Sequence, residues 1–373
     1  VSLVYTDRHA TYSGVVFDDC DFHDIQWANF TSNITVIYDH GNAIQLRNPA
    51  AESCQTPGGH CPTPTVVGLR VTHCIFERVD MALSTRVART GLPLGVRDGV
   101  GTVAAVIEGN LFHNCSFNTV MVDGAMRMSI QRNVFLNGQP RVRFGYGTTD
   151  VIIAYADATT VVANNDFTLR GEHTPDPDGC GIDLETDSTN LVLGPNNTFY
   201  RPVAASINIF GHTFAGGPPK TSRNLTIVGN TIIGAGCAQG SPPYHVGSSD
   251  RGAIAFDLPN GTGTVTSNLI VKCADPAVPL WGGPEGYTDG YVFRDNHIVS
   301  AADESNVVVA LPSITPAQGT RWPGLSVKCV TAGSTLRYTL DGSRPDETSP
   351  VWPPPTTAPP RGRVAVLVRG FHP

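Results

Sequence analysis

The sequence is poor in charged residues and especially in lysine. Of 373 residues only 15% are charged, lysine occurs only at Lys220, Lys272 and Lys328, and the formal net charge is −7. A chain without a basic surplus is a poor partner for nucleic acid, because Lys and Arg bind the phosphate backbone. No apolar run approaches the ~20 residues that a membrane helix needs, so the sequence predicts no membrane span.

Aromatic residues make up 8% of the chain, which also contains 39 Gly and 29 Pro. Gly, Pro, Asn and Thr suit strands and tight corners better than helix interiors, so we predict an all-β fold with few helices. The length allows one to three domains, although a solenoid can extend this far as one unit. The chain opens at Val1 rather than at Met, so we expect a mature form or a fragment.

One short segment recurs nine times in the same register. In the copy Ile227-Val-Gly-Asn-Thr-Ile-Ile233, an Asn is followed two residues later by a large apolar side chain. The copies are Cys20/Phe22, Cys74/Phe76, Asn110/Phe112, Asn133/Phe135, Asn165/Phe167, Asn197/Phe199, Asn230/Ile232, Asn268/Ile270 and Asn296/Ile298. The spacing between copies varies, which predicts loops of unequal length and therefore a solenoid rather than a propeller.

The alternation within each copy predicts a strand with one buried face. Stacked about 4.8 Å apart, the Asn side chains can pass amide hydrogen bonds from coil to coil. An Asn also tolerates the left-handed backbone of a tight corner. We therefore expect Asn165 and Asn197 to be buried and hydrogen-bonded to neighbouring coils, above a ladder of apolar side chains.

The repeat resembles the right-handed parallel β-helix of the pectate-lyase-like proteins. It covers roughly residues 15 to 300, and we place the β-helix domain at 1–310. The resemblance implies a protein that engages polysaccharide, with the site on one face of the solenoid or in its longer loops.

A second strand of each coil contains the polar and acidic residues that are candidates for a functional site. If its β-branched and aromatic residues point inward, its polar residues form an outward, mostly acidic row, comprising Gln45, Asp123, Asp183, Glu185, Asn208 and Asp257. Asp183 and Glu185 suit an acid and a base flanking a glycosidic bond. They equally suit an oxygen-ligand cation such as calcium, with Asp176 or Asp178 from the preceding loop. The third interpretation is a solvated face of an acidic protein.

Loops near this row supply further candidates. We predict His212 as a catalytic group, and Asp123, Asp157, His173, Asn208, Arg251 and Asp257 as substrate-binding residues. Asp178-Gly-Cys-Gly-Ile-Asp183 and Gly211-His212-Thr213 resemble parts of the polygalacturonase pattern. The paired Asp-Asp, the full Gly-His-Gly and the Arg-x-Lys of that family are missing, and the pectate-lyase pattern is not matched either.

Sequons and cysteines point to an extracellular setting. N-x-Ser/Thr occurs at Asn29, Asn33, Asn114, Asn196, Asn224 and Asn260, which predicts a secreted glycoprotein. Cys54 and Cys61 bracket a Gly/Pro loop that looks closed by a disulfide. Cys20 and Cys74 occupy equivalent positions in the repeat, where they either stack as thiols or pair.

The last 60 or so residues differ in character. Tyr338-Thr-Leu-Asp-Gly-Ser-Arg-Pro345 resembles the core of the chitobiase C-terminal-like domain, a small immunoglobulin-like β-sandwich. We place this module at 311–373 and expect it to be truncated, because the family pattern continues beyond this point. The resemblance implies an accessory module on extracellular carbohydrate-active proteins.

Two functions fit the sequence. The first is a secreted glycosidase or lyase that cleaves a polysaccharide with Asp183 and Glu185. The second is a non-catalytic structural or adhesive module of a large extracellular glycoprotein assembly, for which other chains are partners. No cofactor besides the calcium alternative is expected.

Overall fold

The computed structural model describes residues 1–4, 10–25, 41–47, 65–85, 101–115, 118–136, 149–154, 156, 161–163, 165–168, 179–185, 188–202, 204–210, 221–236, 252–276, 278–304, 313–315, 326–328, 334–340, 345, 347–352 and 367–371. In this part of the chain the regular structure is almost entirely short strands, with one 3-10 helix at Ala301–Asp303. The predicted all-β class is therefore confirmed.

Strands are numbered in chain order, and three sheets of nine parallel strands contain most of them. Sheet A consists of β1 (Ser2–Val4), β5 (Asn42–Arg47), β9 (Met81–Ser84), β13 (Val120–Asp123), β17 (Val151–Ala154), β20 (Ile182–Glu185), β23 (Ile207–Phe210), β26 (Ile254–Asp257) and β29 (Trp281–Gly282). Sheet C consists of β3 (Val16–Asp18), β7 (Arg70–Thr72), β11 (Val106–Glu108), β15 (Ser129–Gln131), β18 (Val161–Ala163), β21 (Val192–Leu193), β24 (Leu225–Val228), β27 (Gly263–Thr266) and β30 (Tyr291–Arg294).

Sheet D contains the repeat recognised in the sequence. It consists of β4 (Asp21–Ile25), β8 (Ile75–Val79), β12 (Leu111–His113), β16 (Val134–Leu136), β19 (Asp166–Thr168), β22 (Thr198–Tyr200), β25 (Thr231–Ile233), β28 (Leu269–Val271) and β31 (His297–Val299). A smaller sheet B adds β2 (Thr11–Ser13), β6 (Thr65–Val67), β10 (Gly101–Val103) and β14 (Ala125–Met126) to the first coils. Each coil contributes one strand to each large sheet, so the chain winds as a parallel β-helix.

The apolar ladder lies inside this helix. Phe22, Phe76, Phe112, Phe135, Phe167 and Phe199 stack with ring centroids 4.7–5.0 Å apart and planes within 17° of parallel. That distance is the spacing of hydrogen-bonded strands, so each ring contacts the ring of the next coil. Ile232 and Ile270 continue the column with at most 1% exposure, and Ile298 of the last coil is 46% exposed.

The asparagine ladder is also confirmed. Asn165 and Asn197 are fully buried. The Nδ2 of Asn165 donates to Asn197 Oδ1 at 3.0 Å, and Asn197 Nδ2 donates to Asn230 Oδ1 at 2.9 Å. Asn165 Nδ2 also contacts the carbonyl of Ile130 in the preceding coil at 3.1 Å. Each amide thus replaces the backbone partners that a corner leaves unpaired.

The left-handed backbone lies one residue earlier than the sequence suggests. No described Asn or Cys of the ladder has a positive φ; the residue before it does, in the eight coils where it is described. These residues are Asp19, His73, Gly109, Arg132, Asn196, Gly229, Ser267 and Asp295, with φ between 53° and 65°. The expectation that the ladder Asn itself adopts this backbone was wrong, because its side chain is used to bridge coils.

The C-terminal segment contains two antiparallel pairs among its described residues. β32 (Ser313–Thr315) pairs with β33 (Ser326–Lys328), and β34 (Thr335–Thr339) pairs with β35 (Leu367–Phe371). Tyr338 is 6% exposed and packs edge-on against Trp352, with ring centroids 5.7 Å apart. The change from parallel to antiparallel pairing agrees with a change of architecture after 310, and the truncated β-sandwich stays a prediction.

Candidate functional site

Strand alternation places the predicted acidic residues on the outside of sheet A. Ile182 and Leu184 of β20 belong to the interior core, so Asp183 and Glu185 point to the opposite side. The same alternation on β23 buries Ile207 and Ile209 in the core and turns Asn208 outward. We call the outward positions of strands β5 to β29 the outer face of sheet A.

The strand register aligns the outer face into two columns. Asp183 of β20 is the direct neighbour of Ile152 on one side and Asn208 on the other. The second column holds five residues in register, namely Asp123, Ala154, Glu185, Phe210 and Asp257. The structure therefore brings together the predicted residues Asp183, Glu185, Asn208 and Asp257, and adds Phe210, which the sequence did not indicate.

The first column of the outer face is buried. Gln45, Asp183 and Asn208 are 4%, 5% and 7% exposed, and Glu185 of the second column is 8% exposed. The interpretation of these residues as a solvated face was therefore wrong. Phe210 and Asp257 are only half-buried. The accessible part of the outer face is therefore the C-terminal end of the second column, at Phe210 and Asp257.

Asn208 differs from the other buried asparagines in its hydrogen bonding. Its Oδ1 atom is buried and has no hydrogen-bond partner among the described residues. Its neighbour in the column on β26 is Ala255, which is followed by Gly282 on β29. The column therefore continues beyond the Asn208 amide in two small residues, both of them buried.

Asp150 is a second buried acid beside sheet A that sequence reasoning missed. It immediately precedes β17, is 3% exposed, and its Oδ2 has no hydrogen-bond partner among the described residues. Burial raises the pKa of Asp150 well above its ordinary value, and a hydrogen bond with Thr119 acts in the opposite direction. No sequence signal separates it from an exposed aspartate at the start of a strand.

Several predicted residues lie outside the described residues. These are the site residues Asp157, His173, His212 and Arg251, the calcium candidates Asp176 and Asp178, the disulfide candidates Cys54 and Cys61, and the sequons Asn29 and Asn33. Asp123 is described only as a backbone position on β13. Among the residues that the structure describes, no group of three or more His, Cys, Asp or Glu could hold a metal ion. The calcium site stays a prediction.

Two cysteines occupy the ladder position in the first two coils. Cys20 and Cys74 are both free thiols, so of the two predicted arrangements the structure has the unpaired one. The thiol of Cys74 donates to the carbonyl of Thr72 at 3.2 Å. Burial raises the pKa of Cys74 to about 12. Cys74 is therefore a structural thiol rather than a nucleophile.

The four described sequons lie at corners with a left-handed backbone. Asn114, Asn196, Asn224 and Asn260 have φ between 52° and 64°. Asn196, Asn224 and Asn260 are exposed, and Asn114 is half-buried. The corner position turns the three exposed side chains away from the core, as an attached glycan requires.

Among the described residues, no helix is long and apolar enough to cross a membrane.

Comparison with known proteins identifies the fold and leaves the function open. The model of a family described as "Right handed beta helix region" matches residues 70–250. No curated protein matches the sequence. The crystal structure of the Dettilon tailspike protein is 13% identical with a TM-score of 0.16, and the match covers 86% of this chain but 66% of that one, slightly less than two thirds. Similarity of that size carries no functional argument. The chain is a right-handed parallel β-helix.

Proposed function

We propose that this chain is a secreted protein that engages a polysaccharide along the outer face of sheet A. The nine strands of that sheet stack in register. At about 4.8 Å per strand the eight strands of the outer face span roughly 34 Å, which suits several consecutive sugar units. Exposed sequons at Asn196, Asn224 and Asn260 support secretion and glycosylation.

Asp183 and Glu185 are the proposed catalytic pair of a glycoside hydrolase or lyase. They lie two residues apart on one strand, so their Cα atoms are about 6.6 Å apart. That separation is of the order found between the two carboxyl groups of glycosidases, about 5–5.5 Å in retaining and 6.5–9.5 Å in inverting enzymes. Asn208 and Asp257 flank the pair as substrate-binding residues. The proposed catalytic group besides the pair is His212, and the further substrate-binding residues are Asp123, Asp157, His173 and Arg251. The observation that carries it is the convergence of Asp183, Glu185 and Asn208 on one face in register.

The test is product release from a panel of neutral, uronic and sulfated glycans. Asp183→Asn and Glu185→Gln should each abolish turnover, because each removes one of two groups that must exchange a proton. Both side chains are buried, so the melting temperature of each variant is measured alongside its activity. Asp257→Asn, at a half-buried position, is the matched variant and should lower turnover less. If the wild type releases no product from any glycan, the catalytic proposal is wrong.

A second candidate is a non-catalytic structural or adhesive module of an extracellular assembly. The observation that favours it is the low exposure of Asp183 and Glu185, 5% and 8%, because a cleaving site must admit a sugar chain. Glycan binding without product release, or assembly with other chains without glycan binding, would favour this candidate over the enzyme.

A further inference from the structure

The Asn208 amide is unlike the asparagines that build the fold. In the ladder, Asn133, Asn165 and Asn197 each accept or donate hydrogen bonds between coils. Asn208 Oδ1 is equally removed from solvent, with the residue 7% exposed, and has no partner among the described residues. A buried acceptor without a donor is costly in a folded protein. A donor that reaches it from the side of the half-buried Phe210 would complete its hydrogen bonding.

Phe210 lies beside this acceptor on the accessible part of the outer face. It is two residues from Asn208 on β23, so both side chains project to the same side of the sheet. Its ring is half-buried, and its neighbours in the column are Glu185 and Asp257. An aromatic face next to polar groups is the arrangement that receives a ring with one apolar side and several hydroxyls.

We infer that Asn208 and Phe210 form a subsite for one neutral sugar ring. Phe210 packs against the apolar face of the ring, and Asn208 Oδ1 accepts a hydrogen bond from a sugar hydroxyl. The inference rests on the proposed function and narrows its substrate class.

The Asn208 acceptor favours a hydroxyl over an anionic group next to it. A hydroxyl can donate to Asn208 Oδ1, whereas an ionised uronate or sulfate group has only acceptor oxygens. The ionisable outward residues with described side chains on strands β13 to β29 are Asp183, Glu185 and Asp257, all of them acidic. Like charges placed together reduce affinity for an anionic chain.

The experiment is calorimetric titration of the full chain with cellohexaose, with the hexamer of N-acetylglucosamine and with hexagalacturonate. The variants are Phe210→Ala, Phe210→Trp and Asn208→Leu. Tyr200→Ala is the matched control, because Tyr200 is also a half-buried aromatic on an outward position, but on sheet D. Melting temperatures verify that each variant is folded.

We expect a neutral hexamer to bind more tightly than hexagalacturonate. Phe210→Ala and Asn208→Leu should each weaken that binding by about tenfold or more, while Phe210→Trp and Tyr200→Ala retain it. If a neutral hexamer binds but both variants bind it as well as the wild type, the subsite is wrong and the proposed function stands. Equal or tighter binding of hexagalacturonate overturns the selectivity. If the wild type binds no glycan, the subsite and the proposed function both fail.

Discussion

The molecule buries amide and carboxyl side chains in two regions that satisfy them differently. In the ladder at the entry to sheet D, Asn165 accepts from the backbone and side-chain nitrogens of Asn133 at 3.0 Å and donates to Asn197 at 3.0 Å. Around sheet A, Asn208 Oδ1 and Asp150 Oδ2 are just as buried, yet neither has a hydrogen-bond partner among the described residues.

The difference separates structural burial from burial that invites a ligand. A buried amide with every partner in place stabilises one register of the coils, whereas an orphaned acceptor costs free energy. Stability measurements can therefore decide which region a side chain belongs to, because removing a satisfied group should harm folding and removing an orphaned one should not.

The largest effect is expected for Asn165→Ala. The change leaves two donors of Asn133 without an acceptor inside the helix. At about 1–3 kcal/mol for each orphaned group, we expect the free energy of unfolding to fall by about 3 kcal/mol in denaturant titration. Val292→Ala, at a strand position that is 57% exposed, is the control and should change stability by less than about 0.5 kcal/mol. Equal stability of the two variants would contradict a structural ladder.

Asp150→Asn should have the opposite sign. The folded-state pKa of Asp150 is raised, so the unfolded chain loses this proton more readily than the folded chain does. The free energy of unfolding of the wild type therefore falls as the pH rises through the folded-state pKa. We expect the variant to be more stable than the wild type near neutral pH, on the order of 1 kcal/mol.

The advantage of Asp150→Asn should shrink toward zero below the ordinary aspartate pKa of 3.8, where the carboxyl group is protonated in both folded and unfolded chains. Unfolding titrations at neutral and acidic pH measure it. A variant that is less stable than the wild type at neutral pH would show that the ionised carboxylate is tolerated.

Cys74→Asn should extend the ladder by one coil. The backbone nitrogen of Cys74 already donates to Asn110 Oδ1 at 2.9 Å, and its thiol lies 3.6 Å from the carbonyl of Phe17. An amide at this position can donate to both oxygens, as Asn110 does to Asn133 and Val71. We expect a gain of about 0.5–1 kcal/mol relative to the wild type, measured beside Cys74→Ala. A loss equal to that of Cys74→Ala would show that the first coils lack room for the amide.

The smallest effect on stability is expected for Asn208→Leu. The change removes an unpartnered acceptor and keeps the number and branching of the side-chain heavy atoms, so the free energy of unfolding should shift by less than about 0.5 kcal/mol, in either direction. Asn165→Leu, which breaks the ladder, is the comparison and should be strongly destabilising. A comparable loss in both variants would place Asn208 among the structural asparagines.

Much of the fold could be predicted because its signal is local and repeated. Asn165 and Phe167 lie two residues apart in a pattern that recurs in every coil, so one interpretation of the pattern applies to all copies. Alternation also indicated correctly that Asp183 and Asn208 share the outer face of sheet A. The left-handed position was misplaced because Asp, His, Arg, Asn, Ser and Gly all occupy it, which leaves no residue signature.

Burial of the outer face could not be predicted. Alternation tells which side of a strand Glu185 takes, but not what lies above that side. The same limit hid Phe210, which looked like one more apolar residue of β23, and Asp150, whose burial depends on neighbouring coils rather than on its own strand. The burial of these side chains depends on contacts between coils whose loops differ in length, and the sequence pattern of a single strand does not contain those contacts.

The asparagine ladder also gives the solenoid an electrical direction. From Asn110 to Asn268 the bonds between ladder side chains all run one way, because each side-chain nitrogen donates to the side-chain oxygen of the Asn in the next coil. The amide dipoles therefore add along the axis, with the negative, oxygen end of the row at Asn110 and the positive, nitrogen end at Asn296, and each bond polarises the next. Because the dipoles of the row are aligned, substitution of one Asn should weaken the hydrogen bonds of the Asn residues on both sides of it.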